Sequence, residues 1–344
     1  MINKMFNFLR RFLPSPLLKT LRKVKIEIVL ISNYFHDFCM YHRHSATINP
    51  YKTKSMYQAH IIKNYHSLEK GLSVKNPRPG FGRAVVMELI EELNEYASCY
   101  GTDELFQVAL NVLSAYYEYN TKNHLTDEEL NSQLAFLRKR LGETKSRILG
   151  GGILPITRKN IREAGNIDFQ KFVMLRYSIR NFAPSEVEIG LIEKAVRIAQ
   201  KTPSVCNRQP WIVHVFRDED KNNKLLDIQG GSRGFGNDAS IVLIITCDLG
   251  AFMGVGERNE AYIDGGMFAM SLVYAIHSLG LGTCCLNLAV ECEVENKIRI
   301  LANIPKNEKL ILMIAVGNIP EFLYVAQSHR KALEEVMVFH STSS

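Results

Sequence analysis

Pro203-Ser204-Val205-Cys206-Asn207-Arg208-Gln209-Pro210-Trp211 is the stretch on which the fold turns, and one helix-length upstream stands Arg176-Tyr177-Ser178-Ile179-Arg180. Pro203 and Pro210 fix local φ and withdraw two backbone donors, so the residues between them read as neither regular helix nor regular sheet. The carboxamides of Asn207 and Gln209 are thereby left free to hydrogen-bond the edge of a heteroaromatic ring. The upstream cluster offers two fork-shaped cations and a hydroxyl, a donor set suited to a phosphate. Arg176, Ser178 and Arg180 alternate, so they share one side only where the backbone is extended. The plainer readings are a solvated basic turn and a polar loop feeding a core strand, with Trp211 as packing.

Further on, Asp264-Gly265-Gly266 opens an apolar helical stretch and Leu279-Gly280-Leu281-Gly282-Thr283 closes it, before Ile314-Ala315-Val316-Gly317 and Ser328-His329-Arg330. In this order the pieces resemble the nitroreductase family, over roughly residues 166–340. The resemblance implies an α+β fold, a central, mostly antiparallel sheet wrapped by helices, here preceded by an all-helical N-terminal region. It also implies FMN held between the two subunits of a homodimer. Arg176, Tyr177, Ser178 and Arg180 would contact the phosphate, ribityl chain and ring edge. Pro203, Ser204, Val205 and Asn207 would meet the flavin of the other subunit, with Gln209 beside it and Arg330 closing on the phosphate.

The implied reaction is ping-pong hydride transfer through flavin N5, from NAD(P)H to a small, aromatic or otherwise conjugated acceptor. Relatives that cleave flavin or dehalogenate an aromatic imply other flavin chemistry, and a membrane-surface interaction protein without redox activity is a third reading. No catalytic acid, base or nucleophile is assigned, because the hard chemistry is the cofactor's. The chain departs from the family pattern at two places. Ser328 stands where a Lys-x-Arg pair would begin, and Leu286-Asn287-Leu288 lacks the acid or glycine that family members present to the flavin.

At 344 residues the chain has room for two domains, or for one domain and an extension. The resulting division is a basic amphipathic segment over residues 1–50, a helical extension over 51–150 and an FMN-binding domain over 166–340. The net charge of +7 is concentrated in the first segment, where Lys4, Arg10, Arg11, Lys19, Arg22, Lys23, Lys25 and Arg43 face only Glu27 and Asp37. Its apolar residues are spaced for short amphipathic helices, either a membrane-surface or partner-binding arm or a helix packed on the rest. No nucleic-acid partner is expected. Seven cysteines without a C-x-x-C spacing read as free thiols in a reducing compartment. Arg10, Arg11, Pro14 and Pro16 interrupt any signal-peptide core, and no segment reaches the roughly 20 apolar residues of a membrane span, so the cytoplasm is expected. His60 and His66 lack metal-ligand spacing, and no metal is expected.

Helices are expected over residues 84–99, 103–122 and 127–149, the last opened by a Thr126–Glu129 capping box. Gly150-Gly151-Gly152 then marks a linker or sharp turn. Beyond it, Ser185 with Glu188 caps a helix to about Gln200, strands are expected at 212–216, 241–247, 283–288 and 310–316, and a helix at 260–279. Residues 230–236 read as a flexible loop, from which Arg233 could reach a substrate pocket. Cys284 and Cys285 fall on opposite faces of a strand, as buried spectators.

Overall fold

A computed structural model describes residues 14–142, 150–160, 167–232, 235–326, 328 and 330–340. Strands β1 (Trp211–Phe216), β2 (Ile241–Asp248), β3 (Leu281–Asn287) and β4 (Glu308–Asn318) form one antiparallel sheet in the order β1-β2-β4-β3. The β2 residues from Ile241 to Cys247 are all buried. Side chains alternate across a strand, so such an unbroken run requires both faces to be covered. Leu243 and Ile245 pack with helices α7 (Ile189–Ala199) and α9 (Glu260–Ser278) on one face. Val242 and Ile244 pack with α8 (Glu219–Gln229) and α10 (Cys292–Ala302) on the other. The fold is therefore α+β, a central antiparallel sheet wrapped by helices and preceded by a helical region.

Two glycines seat the segment that carries the basic cluster. Gly282 and Gly317 face each other across β3 and β4. A Cβ on Gly282 would stand 3.1 Å from Ile179, and one on Gly317 2.6 Å from the Phe182 ring. Ile179 and Phe182 thus lie in a notch that exists because both positions lack a side chain. Hydrogen bonds from Ile179 N–H to the Thr283 carbonyl (2.8 Å) and from Ala183 N–H to that of Asn318 (2.9 Å) lock the crossing.

The helical region buries a separate core between α2 (Lys54–Ser73), α3 (Arg83–Tyr100), α4 (Glu104–Lys122) and α5 (Glu128–Leu141), including Ile61, Leu93, Phe106, Leu113 and Leu134. The three helices expected there form, but Asp127, not Thr126, caps the last: its carboxylate accepts the Leu130 N–H at 2.9 Å. An Asp at the cap also suits the positive end of the helix. Residues 143–149 of that expected helix lie outside the described residues. Gly150-Gly151-Gly152 is pinned rather than a free linker, with Gly152 N–H on Glu69 (3.1 Å) and the Gly150 carbonyl on Asn111 (3.2 Å).

Three further expectations are corrected. Ser185 does not cap α7, because its hydroxyl is taken by the Asn318 amide at 2.9 Å, and the helix begins at Ile189. In place of short helices, residues 15–44 form one helix, α1 (Ser15–His44), with a proline in its first turn. Residues 1–13 lie outside the described residues. Cys284 is buried as expected, whereas Cys285 is exposed on the other face. Among the described residues no helix is long and apolar enough to cross a membrane.

Candidate flavin site

The stretch from Ser204 to Gln209 has an unusual backbone. Cys206, Asn207 and Gln209 take φ of 49°, 55° and 48°, the left-handed region that side chains disfavour. Such a conformation persists only where the surroundings impose it, and here three ties do so. Ser204 Oγ accepts the Gln209 N–H at 2.9 Å. Both carboxylate oxygens of Asp264, at the start of α9, accept the Val205 N–H at 3.2 Å. Arg208 is buried and donates to the carbonyls of Val205 (3.1 Å) and Ala251 (2.7 Å) and twice to Glu257 (2.7 and 2.9 Å). Helix α2 of the helical region packs against this turn from behind. There, burial pushes the Glu92 carboxyl up to about 7, against hydrogen bonds from Asn64 and Tyr51.

With the backbone held from within, the polar side chains expected to meet a ligand are left over. Gln209 is exposed, and among the described residues its carboxamide donates only to the Asn207 carbonyl, at 3.3 Å. The Asn207 carboxamide has no hydrogen bond among the described residues. Pro203 is exposed, and Ser204 and Val205 are half-buried. The sequence pattern assigns neither Arg208, inside the motif, nor Asp264, at a helix start, a part in this turn. Their roles are set by partners 49 and 59 residues away.

The basic cluster lies on the other side of the sheet. Ser178 makes a parallel bridge with Thr283, placing it beside β3. The backbone has left the short helix α6 (Phe169–Met174), as the alternate spacing of Arg176, Ser178 and Arg180 required. Phe172 holds α6 against α9, with its ring 5.7 Å from Tyr274 and 4.7 Å from His277. Arg180 is exposed, 6.0 Å from the ring centre of Phe235. Arg176 and Tyr177 are half-buried. Neither arginine has a carboxylate partner among the described residues.

The two clusters do not meet within one chain. One borders β3 and the other leads into β1, the opposite edges of the sheet. Three strand spacings separate those edges, about 14 Å. Arg330 is joined to neither. It stands exposed in the C-terminal segment, donating to the Ser328 carbonyl. Asn287 is also occupied, because its side-chain oxygen accepts the Ala289 N–H at 2.8 Å and shapes the turn after β3. Arg233 and His329 lie outside the described residues.

The sequence model of the nitroreductase family matches residues 173–232 and 228–318, a span that contains both clusters and the whole sheet. The chain carries a nitroreductase-family domain. An iodotyrosine deiodinase from Nematostella vectensis is 25% identical over 199 residues, 50% of this chain and 74% of its own length. A putative NADH dehydrogenase/NAD(P)H nitroreductase from Methanothermobacter thermautotrophicus is 27% identical over 156 residues, 45% of this chain and 79% of its own. Among solved structures, a nitroreductase-like protein from Streptococcus mutans is 21% identical, covers 51% of this chain and 98% of its own, and superposes with a TM-score of 0.45.

Asp264 gives the nitroreductase domain a pH signature. Burial raises its carboxyl from 3.8 to about 6, against the Val205 N–H bond that lowers it. A folded-state value above the unfolded one means that stability is present at pH 4 and declines as pH rises through 6. Asp264→Asn keeps an acceptor for Val205 and removes that decline. Relative to the parent, the variant should gain roughly 2–3 kcal/mol between pH 4 and pH 7 in urea denaturation. A pH-independent difference would show that Asp264 does not titrate as a buried acid.

Proposed function

We propose that the chain is an FMN-dependent oxidoreductase that uses NAD(P)H to reduce a small, conjugated acceptor, and that its cofactor site is shared by the two chains of a homodimer. The observation that carries this reading is the pair of complementary half-sites on opposite edges of one sheet. One is cationic and has no carboxylate partner among the described residues. The other is a braced turn with a free carboxamide. The donor set fits the cofactor: two guanidinium groups without a carboxylate partner among the described residues and a hydroxyl suit a phosphate dianion, and Asn207 and Gln209 suit a ring edge of alternating donors and acceptors.

In this reading Arg176, Ser178 and Arg180 of one chain grip the phosphate and Tyr177 lies by the ribityl chain. Pro203, Ser204, Val205 and Asn207 of the second chain line the ring, with Gln209 beside it. Arg330 reaches the phosphate only if the C-terminal segment folds over a neighbouring chain, and Phe322 and Tyr324 in that segment are exposed in the single chain. Ile263, Met267 and Met270 form an exposed apolar row along α9, the kind of surface that a two-fold contact covers. FMN, when bound, supplies the hydride chemistry. The protein places it, neutralises its phosphate and keeps solvent from its ring. Seven free cysteines fit a reducing compartment, the cytoplasm.

Arg176→Ala is expected to weaken FMN binding more than tenfold, because a charge-assisted contact contributes about 1.5–3 kcal/mol. Titration of apoprotein with FMN, followed by flavin fluorescence, measures it. Unchanged affinity would remove Arg176 from the site, and a colourless protein that FMN cannot reconstitute would end the proposal. Several iodotyrosine deiodinases among the relatives favour a second reading, reductive dehalogenation of an aromatic. NADH and NADPH oxidation with nitroaromatic or quinone acceptors, set beside halide release from iodotyrosine, separates the two.

A further inference from the structure

Helix α1 carries an apolar stripe that, among the described residues, is largely uncovered, with only Leu21 half-buried. Leu17, Leu21, Val24, Ile28, Ile31, Phe35 and Phe38 follow one another at intervals of four, three, four, three, four and three. That is the 3.5-residue repeat of a seam between two helices. Ile31 is 68% exposed, Phe35 64% and Phe38 61%, which is far more than a side chain packed on its own domain would show. Another side of α1 is the one fastened down. Met40 is buried, the Asn33 carboxamide accepts the Cys292 N–H at 2.8 Å, and Asp37 pairs with Lys309 at 2.9 Å. Ile26 and Leu30 are also exposed, but they line a separate groove with Ala289 and Val290.

We propose that this seam docks antiparallel on α1 of a second copy of the chain. Side-chain size selects that occupant and that direction. The stripe is graded, with leucine and valine in its first half, isoleucine at its centre and phenylalanine at its end. Antiparallel pairing about the centre sets Ile28 against Ile31, Val24 against Phe35 and Leu21 against Phe38, so each outer layer joins one small and one large residue. Parallel pairing would crowd Phe35 and Phe38 on their own copies at one end and leave thin layers at the other. The Phe35 and Phe38 rings are already stacked, 6.2 Å apart, as a preformed wide end.

Charge points the same way. Lys19, Arg22, Lys23 and Lys25 cluster at the start of α1, whose first turn holds no acid. Parallel pairing would bring two such clusters together at the positive ends of two helix dipoles, whereas antiparallel pairing sets each beside the other helix's far half. A lipid surface fits less well. No lysine or arginine occurs between Lys25 and Arg43, so along α1 itself the widest apolar part of the stripe is flanked only by Glu27 and Asp37, and the cations beside its Phe38 end are Arg258 and Lys309, the latter already paired with Asp37.

The test is crosslinking of the full chain in a Cys39→Ser, Cys99→Ser, Cys285→Ser background, which removes the exposed native thiols. An equimolar mixture of Leu21→Cys and Phe38→Cys chains, treated with diamide, should yield an interchain disulfide at least tenfold above either chain alone. Adding Ile28→Lys and Ile31→Lys to both chains should abolish it, with the far-ultraviolet circular dichroism unchanged. Homotypic crosslinks equal to the heterotypic one would overturn the antiparallel pairing. Absence of the heterotypic crosslink would overturn the seam, as would phosphatidylserine vesicles that float the parent chain and lose it when Ile28 and Ile31 become lysine without any crosslink having formed.

Discussion

Arg208→Met should destabilise the protein by about 3 kcal/mol and abolish flavin retention, although Arg208 is not among the residues assigned to the ligand. The guanidinium is buried and bound to Glu257 and to two carbonyls. Removing it strands a carboxylate and two backbone acceptors, and breaking such a buried pair typically costs about 3–5 kcal/mol. The lower end applies because the Glu257 side chain is 24% exposed and can partly rehydrate. The larger consequence is local. Cys206, Asn207 and Gln209 lose one of the three ties that hold their left-handed backbone, the only one of the three that is a buried ion pair, and the turn relaxes toward ordinary conformations. Urea denaturation and FMN titration of the same samples measure both effects. Adding Glu257→Gln should recover part of the stability and none of the flavin binding. Retained flavin affinity in the single variant would show that the turn is not held by Arg208.

Gly317→Val should cost roughly 3 kcal/mol or more, the upper range for forcing atoms into a packed core. A Cβ there would lie 2.6, 2.7 and 2.8 Å from three atoms of Phe182, one of them Phe182 Cβ, which cannot swing aside without the backbone. Phe182 is buried and two residues beyond Arg180, so displacing it also unseats the basic cluster. Thermal unfolding should fall by several degrees and FMN affinity should drop with it. Phe182→Ala carries its own cavity cost. In combination with Gly317→Val the loss should nevertheless be clearly smaller than the sum of the two single losses, because one removes what the other collides with. Additive losses would mean that the contact does not seat the cluster.

These two positions mark what the sequence could and could not disclose. The strands were legible because β2 and β4 are apolar runs, and helices α3 and α4 because their apolar residues recur at helical spacing. Helices α8 and α10 were not: in Glu219–Gln229 only Leu225 and Leu226 among the apolar residues are fully buried, too few to raise a periodic signal. The site divides in the same way. Two flanking prolines announced an irregular turn, and the spacing of the arginines announced an extended backbone. Arg208 as the turn's anchor, Asp264 as its acceptor and the paired glycines under Ile179 and Phe182 all depend on partners brought together by the sheet, and local pattern carries no trace of such pairings. That the clusters occupy opposite edges likewise became visible only with the strand order.

That strand order has a thermodynamic consequence. On the proposed shared site an isolated chain offers the flavin only half its contacts, so cofactor uptake and chain association become one linked equilibrium. Whatever factor FMN adds to the affinity between chains, association adds to the affinity for FMN. Dilution would therefore strip the cofactor and excess cofactor would hold the chains together. The amount of protein in solution becomes, in effect, a control on how much of it is active.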